Sequence, residues 1–200
     1  AVRMLRREGH RVRVRVTFEG GDARRFALRA ARSGSDVVVA AGGDGTISEV
    51  VNGLVASDAT PRLAVVPFGT ANDFARALEL PDGVEESLRL AVAGMPVPLD
   101  VATVNGRCFV NVSTGGFGAA ASQSAGRTAK KRLGALAYAL SGAQKLVQYE
   151  PSAADFVADG TLMHSGPFAF YAVGNACCTG GGNWITPEAD PGDGRLDVVI

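Results

Sequence analysis

The residues Gly42-Gly43-Asp44-Gly45-Thr46 directly follow the apolar run Val37-Val38-Val39-Ala40-Ala41. Three glycines within four residues remove Cβ atoms where a chain must turn sharply, and they permit positive φ. They also let backbone N–H groups approach a polyphosphate closely. Asp44 is the odd member, because a carboxylate beside phosphate repels it unless it holds Mg2+ or takes a proton. That pairing is the chemistry of phosphoryl transfer. The competing reading is a tight turn in which Asp44 caps the next helix. Glu49, one helical turn on, could orient a metal or ribose, or could be a surface acid near a helix N-terminus.

A second segment, Pro67-Phe-Gly-Thr-Ala-Asn-Asp-Phe-Ala-Arg76, again leaves a strand through Gly-Thr before a helix. Ligands of open parallel sheets gather at the C-terminal ends of strands, so the two loops point polar groups into one crevice. Gly69 supplies the turn and the Thr70 hydroxyl can donate to a phosphate oxygen. Asn72 and Asp73 suit either helix caps or ribose and metal contacts. A third segment, Gly174-Asn-Ala-Cys-Cys-Thr-Gly-Gly-Gly-Asn183, carries three consecutive glycines, which suit close approach to backbone or ligand. Beyond it, Asp190 and Asp193 flank Pro-Gly. They read as an oxygen-rich turn for a hard cation or as a plain β-turn.

These residues need elements to hold them. The chain has 200 residues, 46% hydrophobic and 20% charged, enough for one large core or two small ones. Its 20 basic residues balance 20 acidic ones, so no field favours nucleic acid, which is not expected as a partner. No apolar stretch reaches the ~18 residues of a membrane span. Cys108, Cys177 and Cys178 form an odd set without zinc spacing, which fits a reducing cytosol.

Arg11–Thr17 alternates strictly, which predicts a strand with Val12, Val14 and Val16 on one face and solvated arginines on the other. Helical spacing over 22–33, with Asp22 as N-cap, is followed by a strand at 36–40 and a helix over Ile47–Val55. Leu63–Pro67 reads as a strand, Asn72–Glu79 as a helix stopped by Leu80-Pro81, and Val84–Ala93 as a helix. Strand and helix alternate as in a parallel sheet covered by helices. From Pro96-Val-Pro98 the texture changes to short strands at 99–104, 107–113, 154–159, 167–173 and 196–200, with an Asn105-Gly106 turn. A helix near Lys131–Gln148 interrupts them, and its basic start, Arg127–Arg132, suits a membrane interface or a solvated helix end. The expected fold is a doubly wound parallel α/β domain over 1–96 followed by a mainly antiparallel β-sandwich domain over 97–200. Both read as truncated, since the chain opens inside a helical pattern and closes on an apolar strand.

Taken together, the residues resemble the diacylglycerol kinase catalytic-domain superfamily, in its bacterial lipid kinase branch with sphingosine kinases as cousins. The carriers are Gly42–Thr46 with Glu49-Val-Val-Asn-Gly53, the segment Pro67–Arg76, Leu99-Asp100, Phe109–Gly118, Gly174-Asn175 with Gly180–Gly182, and Asp193-Gly-Arg-Leu-Asp197. The resemblance implies an ATP-dependent kinase acting on a lipid hydroxyl, of diacylglycerol or a related lipid, with ATP and Mg2+ as cofactors. It implies an NAD-kinase- and diacylglycerol-kinase-like α/β lobe joined to a β-sandwich lobe. Carried over by position, nucleotide contacts fall at Thr17, at Gly43 through Glu49, and at Thr70, and they complete a candidate site with Gly42, Gly69, Asn72 and Asp73. Sphingosine kinases assign the acid of the glycine turn as base, which maps to Asp44. The bacterial branch uses an acid in a later Asp-Gly-Glu segment, which does not occur in these 200 residues. A structural Mg2+ would sit at Asp193 through its carboxylate and at Asp190 and Arg195 through their carbonyls, with Asp100 near the lipid headgroup. A cytoplasmic protein meeting the inner membrane surface peripherally follows from the same resemblance, and a homodimer is compatible with it. The rival readings are an NAD-kinase-like phosphotransferase on a soluble substrate and a non-catalytic nucleotide- or lipid-binding module.

Overall fold

In a computed structural model of the chain, residues 1–116 and 151–200 are described. The helix expected near 131–148 and its basic start lie outside them. The described chain forms two compact units, Ala1–Val112 with Asn175–Leu196, and Ser113–Gly174 with Asp197–Ile200.

The first unit is built on a parallel pair, β1 (Val37–Gly42) and β2 (Arg62–Pro67), in register from Val37 opposite Arg62 to Gly42 opposite Pro67. Side chains alternate across such a pair. Ala40 and Val65, flanked by Val38 and Leu63, join the buried stripes of α2 (Asp22–Arg32) and α3 (Asp44–Val55). Val66 faces the other way, toward Leu5 of α1 (Val2–Arg7) and Leu88 of α5 (Val84–Ala93). Helices therefore cover both faces, as the apolar runs of a parallel sheet require. In α2 the buried alanines 23, 27 and 31 lie four residues apart, while Arg24, Arg25, Arg29 and Arg32 are exposed.

Three local expectations change. Arg11–Thr17 carries no strand, and Val14 and Val16 are exposed. A period of two specifies a face, but a strand also needs a neighbour for its N–H and C=O groups, and none pairs with this segment among the described residues. The cap of α2 is Gly21, with Asp22 the first helical residue. Asp22 instead reaches backwards, its Oδ2 accepting from the N–H groups of Phe18 and Glu19 at 3.0 and 3.4 Å. Finally, α3 begins at Asp44 rather than Ile47, so the glycine turn is shorter than its sequence suggests.

The unit continues with the short α4 (Asp73–Ala77) and a hairpin of β3 (Ala102–Val104) and β4 (Arg107–Phe109). The hairpin turns at Asn105-Gly106 with φ of 49° and 75°, the left-handed pair that Asn-Gly favours. Asn52 of α3 fastens this hairpin, since its Oδ1 accepts from the Cys108 N–H at 2.9 Å and its Nδ2 donates to the Cys108 carbonyl at 2.9 Å.

The second unit pairs Phe170–Gly174 antiparallel with Asp197–Val199, and Ser152–Ala158 antiparallel with Thr161–Phe168. Its segment β5 (Val112–Gly116, of which Val112 belongs to the first unit) lies in a three-stranded sheet ordered β11-β8-β5, where β8 is Phe170–Gly174 and β11 is Asp197–Val199. A long hairpin joins β6 (Ser152–Ala158) to β7 (Thr161–Phe168) through Asp159-Gly160. Phe156, Phe168 and Tyr171 meet edge to face at centroid distances of 5.1 to 5.9 Å. In the first unit, Asn175–Leu196 adds the small pair β9 (Cys178–Thr179) and β10 (Asn183–Trp184).

Candidate active site

The two parallel strands end side by side, so the loops that follow them meet. A Cβ built on Gly43 would lie 2.9 Å from the Gly69 Cα, and the Phe68 N–H donates to the Gly42 carbonyl at 3.0 Å. The two loops touch backbone to backbone, which only glycine permits. Gly42, Gly43 and Gly45 do not adopt positive φ; close approach is the role of Gly43 against Gly69 and of Gly42 against the Thr46 side chain, while a Cβ on Gly45 would meet open space. Gly43 caps α3, its carbonyl accepting from Thr46 and Ile47. The N–H groups of Asp44 and Gly45, in the first turn, have no acceptor within the helix and lie at its positive end.

Asp44 stands at that end. Its Oδ1 accepts from the Phe74 N–H at 3.0 Å and from Asn111 Nδ2 at 3.3 Å. Among the described residues no donor reaches Oδ2. Phosphate-seeking N–H groups and a carboxylate with one oxygen free thus share one helix terminus.

The second loop is arranged differently. Asn72 is left-handed, with φ 53°, and both ends of its amide close on Gly69, Oδ1 accepting from its N–H at 2.8 Å and Nδ2 donating to its carbonyl at 3.2 Å. Asp73 is buried, and its carboxylate accepts from Gly181 N–H at 3.1 Å and Gly182 N–H at 2.6 Å. Gly180, Gly181 and Gly182 all have positive φ, forming a nest of N–H groups that encloses the anion. This accounts for the glycine run: it receives Asp73. The Cys178 thiol donates to the Asp73 carbonyl at 3.6 Å, and burial, followed by the neighbouring Cys177, pushes it up to about 11. Such a thiol is a poor nucleophile. Thr70, directly after Gly69, is exposed, and Thr46, in the first turn of α3, is partly so.

The remaining candidates fall into two groups. Glu49 turns toward α2, with Oε1 accepting from Gly21 N–H at 3.0 Å and Oε2 from Ala23 N–H at 3.2 Å. It fills the cap that α2 lacks. Thr17 is exposed on the unpaired segment just before that cap. The Phe18 N–H, aided by Glu19 and Arg25, holds the Asp22 carboxyl below its ordinary range against the desolvation that opposes it.

Asp100 lies against the acidic turn. Its Oδ2 accepts from Gly194 N–H at 2.6 Å and its N–H donates to the Pro191 carbonyl at 2.7 Å. Asp190 Oδ1 accepts from Gly192 N–H and Asp193 Oδ1 from Arg195 N–H, both at 2.9 Å. These are Asx turns, which shape the loop. Among the described residues no group of three acidic, His or Cys side chains converges on a metal position. The Asp190 and Asp193 carboxylates each make their turn bond through one oxygen, and the Mg2+ expected at Asp190, Asp193 and Arg195 calls on one carboxylate and two backbone carbonyls rather than on three acidic side chains.

Asn111 and Asn175 join the site without having been singled out as site residues. The Asn111 carbonyl accepts from Asn175 and Ala176 N–H groups at 2.8 and 3.1 Å, and Asn175 Nδ2 donates to the Asp100 and Val110 carbonyls at 3.1 Å each. The signal available was an Asn at the end of an apolar strand in each case, which names a residue type but no partner.

A family model described as the diacylglycerol kinase catalytic domain matches residues 1–104. A second, described as the YegS C-terminal NAD kinase beta sandwich-like domain, matches residues 111–200. The chain is 41% identical over its whole length to a probable lipid kinase YegS-like of Chromohalobacter salexigens, of which it covers 65%. It is 39% identical to a probable lipid kinase YegS-like of Cronobacter sakazakii, covering 68% of that protein. Among solved structures it resembles a diacylglycerol kinase from Bacillus anthracis str. Sterne, with a TM-score of 0.71 and 32% identity over 91% of this chain and 59% of that one. The chain thus spans 59 to 68% of the length of these relatives.

Proposed function

This chain belongs to the diacylglycerol kinase catalytic-domain family, and from that premise we propose that its protein transfers the γ-phosphoryl group of ATP to a lipid hydroxyl. The observation that carries the reading is the joint of the two strand ends, where Gly43 meets Gly69 and Asp44, at the start of α3, keeps Oδ2 without a donor among the described residues. In the reaction the lipid oxygen bonds to the γ-phosphorus, the bond to the β-phosphate oxygen breaks, and ADP leaves. Little covalent work falls to the protein, which positions groups and offsets charge. The N–H groups of Asp44 and Gly45, with the helix dipole behind them, favour phosphate. The hydroxyls of Thr46 and Thr70 add donors nearby. Asp44 Oδ2 either receives the hydroxyl proton or faces the Mg2+ that accompanies the nucleotide as substrate.

A lipid hydroxyl lies at a bilayer surface, so the reading includes peripheral contact with a membrane. No helix among the described residues is long and apolar enough to cross one. The lobe division read at residue 96 enters as part of the proposal, with the nucleotide taken by the α/β part and the lipid by the β-rich part.

Radiolabelled ATP supplied with mixed-lipid vesicles and NAD in competition tests the reading on the protein at its full length. Label in the organic extract is the expected result. Label in NAD would establish the soluble-substrate alternative, and label in neither would leave a binding module.

A further inference from the structure

We propose that Asn111 is a positioning residue for Asp44, fixing Oδ1 so that Oδ2 is the single oxygen offered to the reacting groups. The inference rests on the kinase reading for its consequence, but its geometry stands apart from it.

A carboxylate only accepts hydrogen bonds, so the Asn111 amide must present its NH2 to Asp44. That choice leaves the Asn111 Oδ1 buried with no partner among the described residues. Buried amide oxygens are normally paired, and an orphan needs a reason. The turning of the Asn111 amide is fixed by Asp44 Oδ1, to which Nδ2 donates at 3.3 Å. The backbone holds the residue there as well, through the carbonyl bonds to Asn175 and Ala176. Asn175, fully buried in the same clasp, also leaves its Oδ1 unmatched while its NH2 serves Asp100 and Val110. Two unmatched oxygens therefore occur together, behind the one carboxylate of the strand ends that keeps an oxygen free.

The consequence concerns orientation. With donors from Phe74 and Asn111 on the same oxygen, rotation about the Asp44 side chain would break both bonds. Charge-assisted bonds of this kind set geometry as well as energy. Removing the Asn111 donor frees the carboxylate to swing while leaving the helix terminus and its N–H groups in place.

The test uses Asn111→Leu, close in volume and without a donor, and Asn111→Asp, equal in shape but lacking the N–H. Lipid phosphorylation by the full-length protein should fall at least tenfold in kcat for both, with the KM for ATP changed less than twofold. A KM rise with unchanged kcat would overturn the proposal. A thermal-unfolding double-mutant cycle of Asn111→Leu with Asp44→Ala reads the same contact without any activity. Non-additive shifts in Tm are expected, and additive ones would overturn the proposal even in a protein that phosphorylates no lipid. If the unmutated protein labels nothing while the cycle is non-additive, the kinase reading fails and the Asn111–Asp44 contact stands.

Discussion

β1 and β2 finish alike, each running through glycine toward an acid that opens a helix, Asp44 before α3 and Asp73 before α4. The two carboxylates nevertheless meet opposite surroundings. Asp73 is buried, and the Gly181 and Gly182 N–H groups enclose it. Asp44 is half-buried, anchored through one oxygen and, among the described residues, free at the other. The lesson is that an acid at a strand end becomes a structural anion or a reactive one according to the donors that surround it. Here the third glycine segment makes the decision, because it approaches the second loop and leaves the first open.

Substitutions can break this contrast. The largest effect is expected at Asp44→Asn, where the amide oxygen still accepts from Phe74 while the charge is lost. Lipid phosphorylation should fall about 10²–10⁴-fold with the circular dichroism spectrum unchanged, and retained activity would remove Asp44 from the mechanism. Next comes Asp73→Ala, which strands the two glycine N–H groups and should lower stability by about 3 kcal/mol in urea titration. Below its unfolding transition that variant should keep a kcat near normal. A collapse of kcat at unchanged stability would instead make the two acids equals.

Gly43→Ala sharpens the contrast at the joint. The new Cβ would press on Gly69 at 2.9 Å from its Cα, so the loops must part, at about 1–3 kcal/mol by the same titration. The smallest effect is expected at Asp22, away from the joint. Its folded carboxyl lies below the ordinary range, so it stabilises the fold above the unfolded value and ceases to do so as pH falls through the folded one. Urea midpoints of Asp22→Asn and the unmutated protein should therefore differ at neutral pH and converge at pH below about 4. A gap that persists in acid would show that Asp22 acts through shape rather than charge.

Much of this was legible in advance. Apolar runs with turn residues after them gave β1, β2 and α5, and the Asn105-Gly106 turn named its own hairpin, because these signals are local. The glycine turn and Gly69-Thr70 were legible as neighbours, since parallel strands must end on one side. Arg11–Thr17 misled because alternation carries no information about a partner strand. The partners of Glu49 were not legible, because the bare cap of α2 lies 26 and 28 residues back along the chain at Ala23 and Gly21. The acids at 190–193 also shape their own loop through the Gly192 and Arg195 N–H groups, which composition does not reveal.

The sequence by itself determined that two glycine-ended strands face a helix terminus, that an acid stands there, and which family the chain resembles. Those follow from residue types at short spacing, where backbone geometry leaves few choices. Only the tertiary structure decided which acid keeps a free oxygen, that Asp73 is held by Gly181 and Gly182 more than a hundred residues away, and that Asn111 faces Asp44. A hydrogen bond needs its partner within about 3 Å, and residues that distant in sequence meet only after the chain has packed.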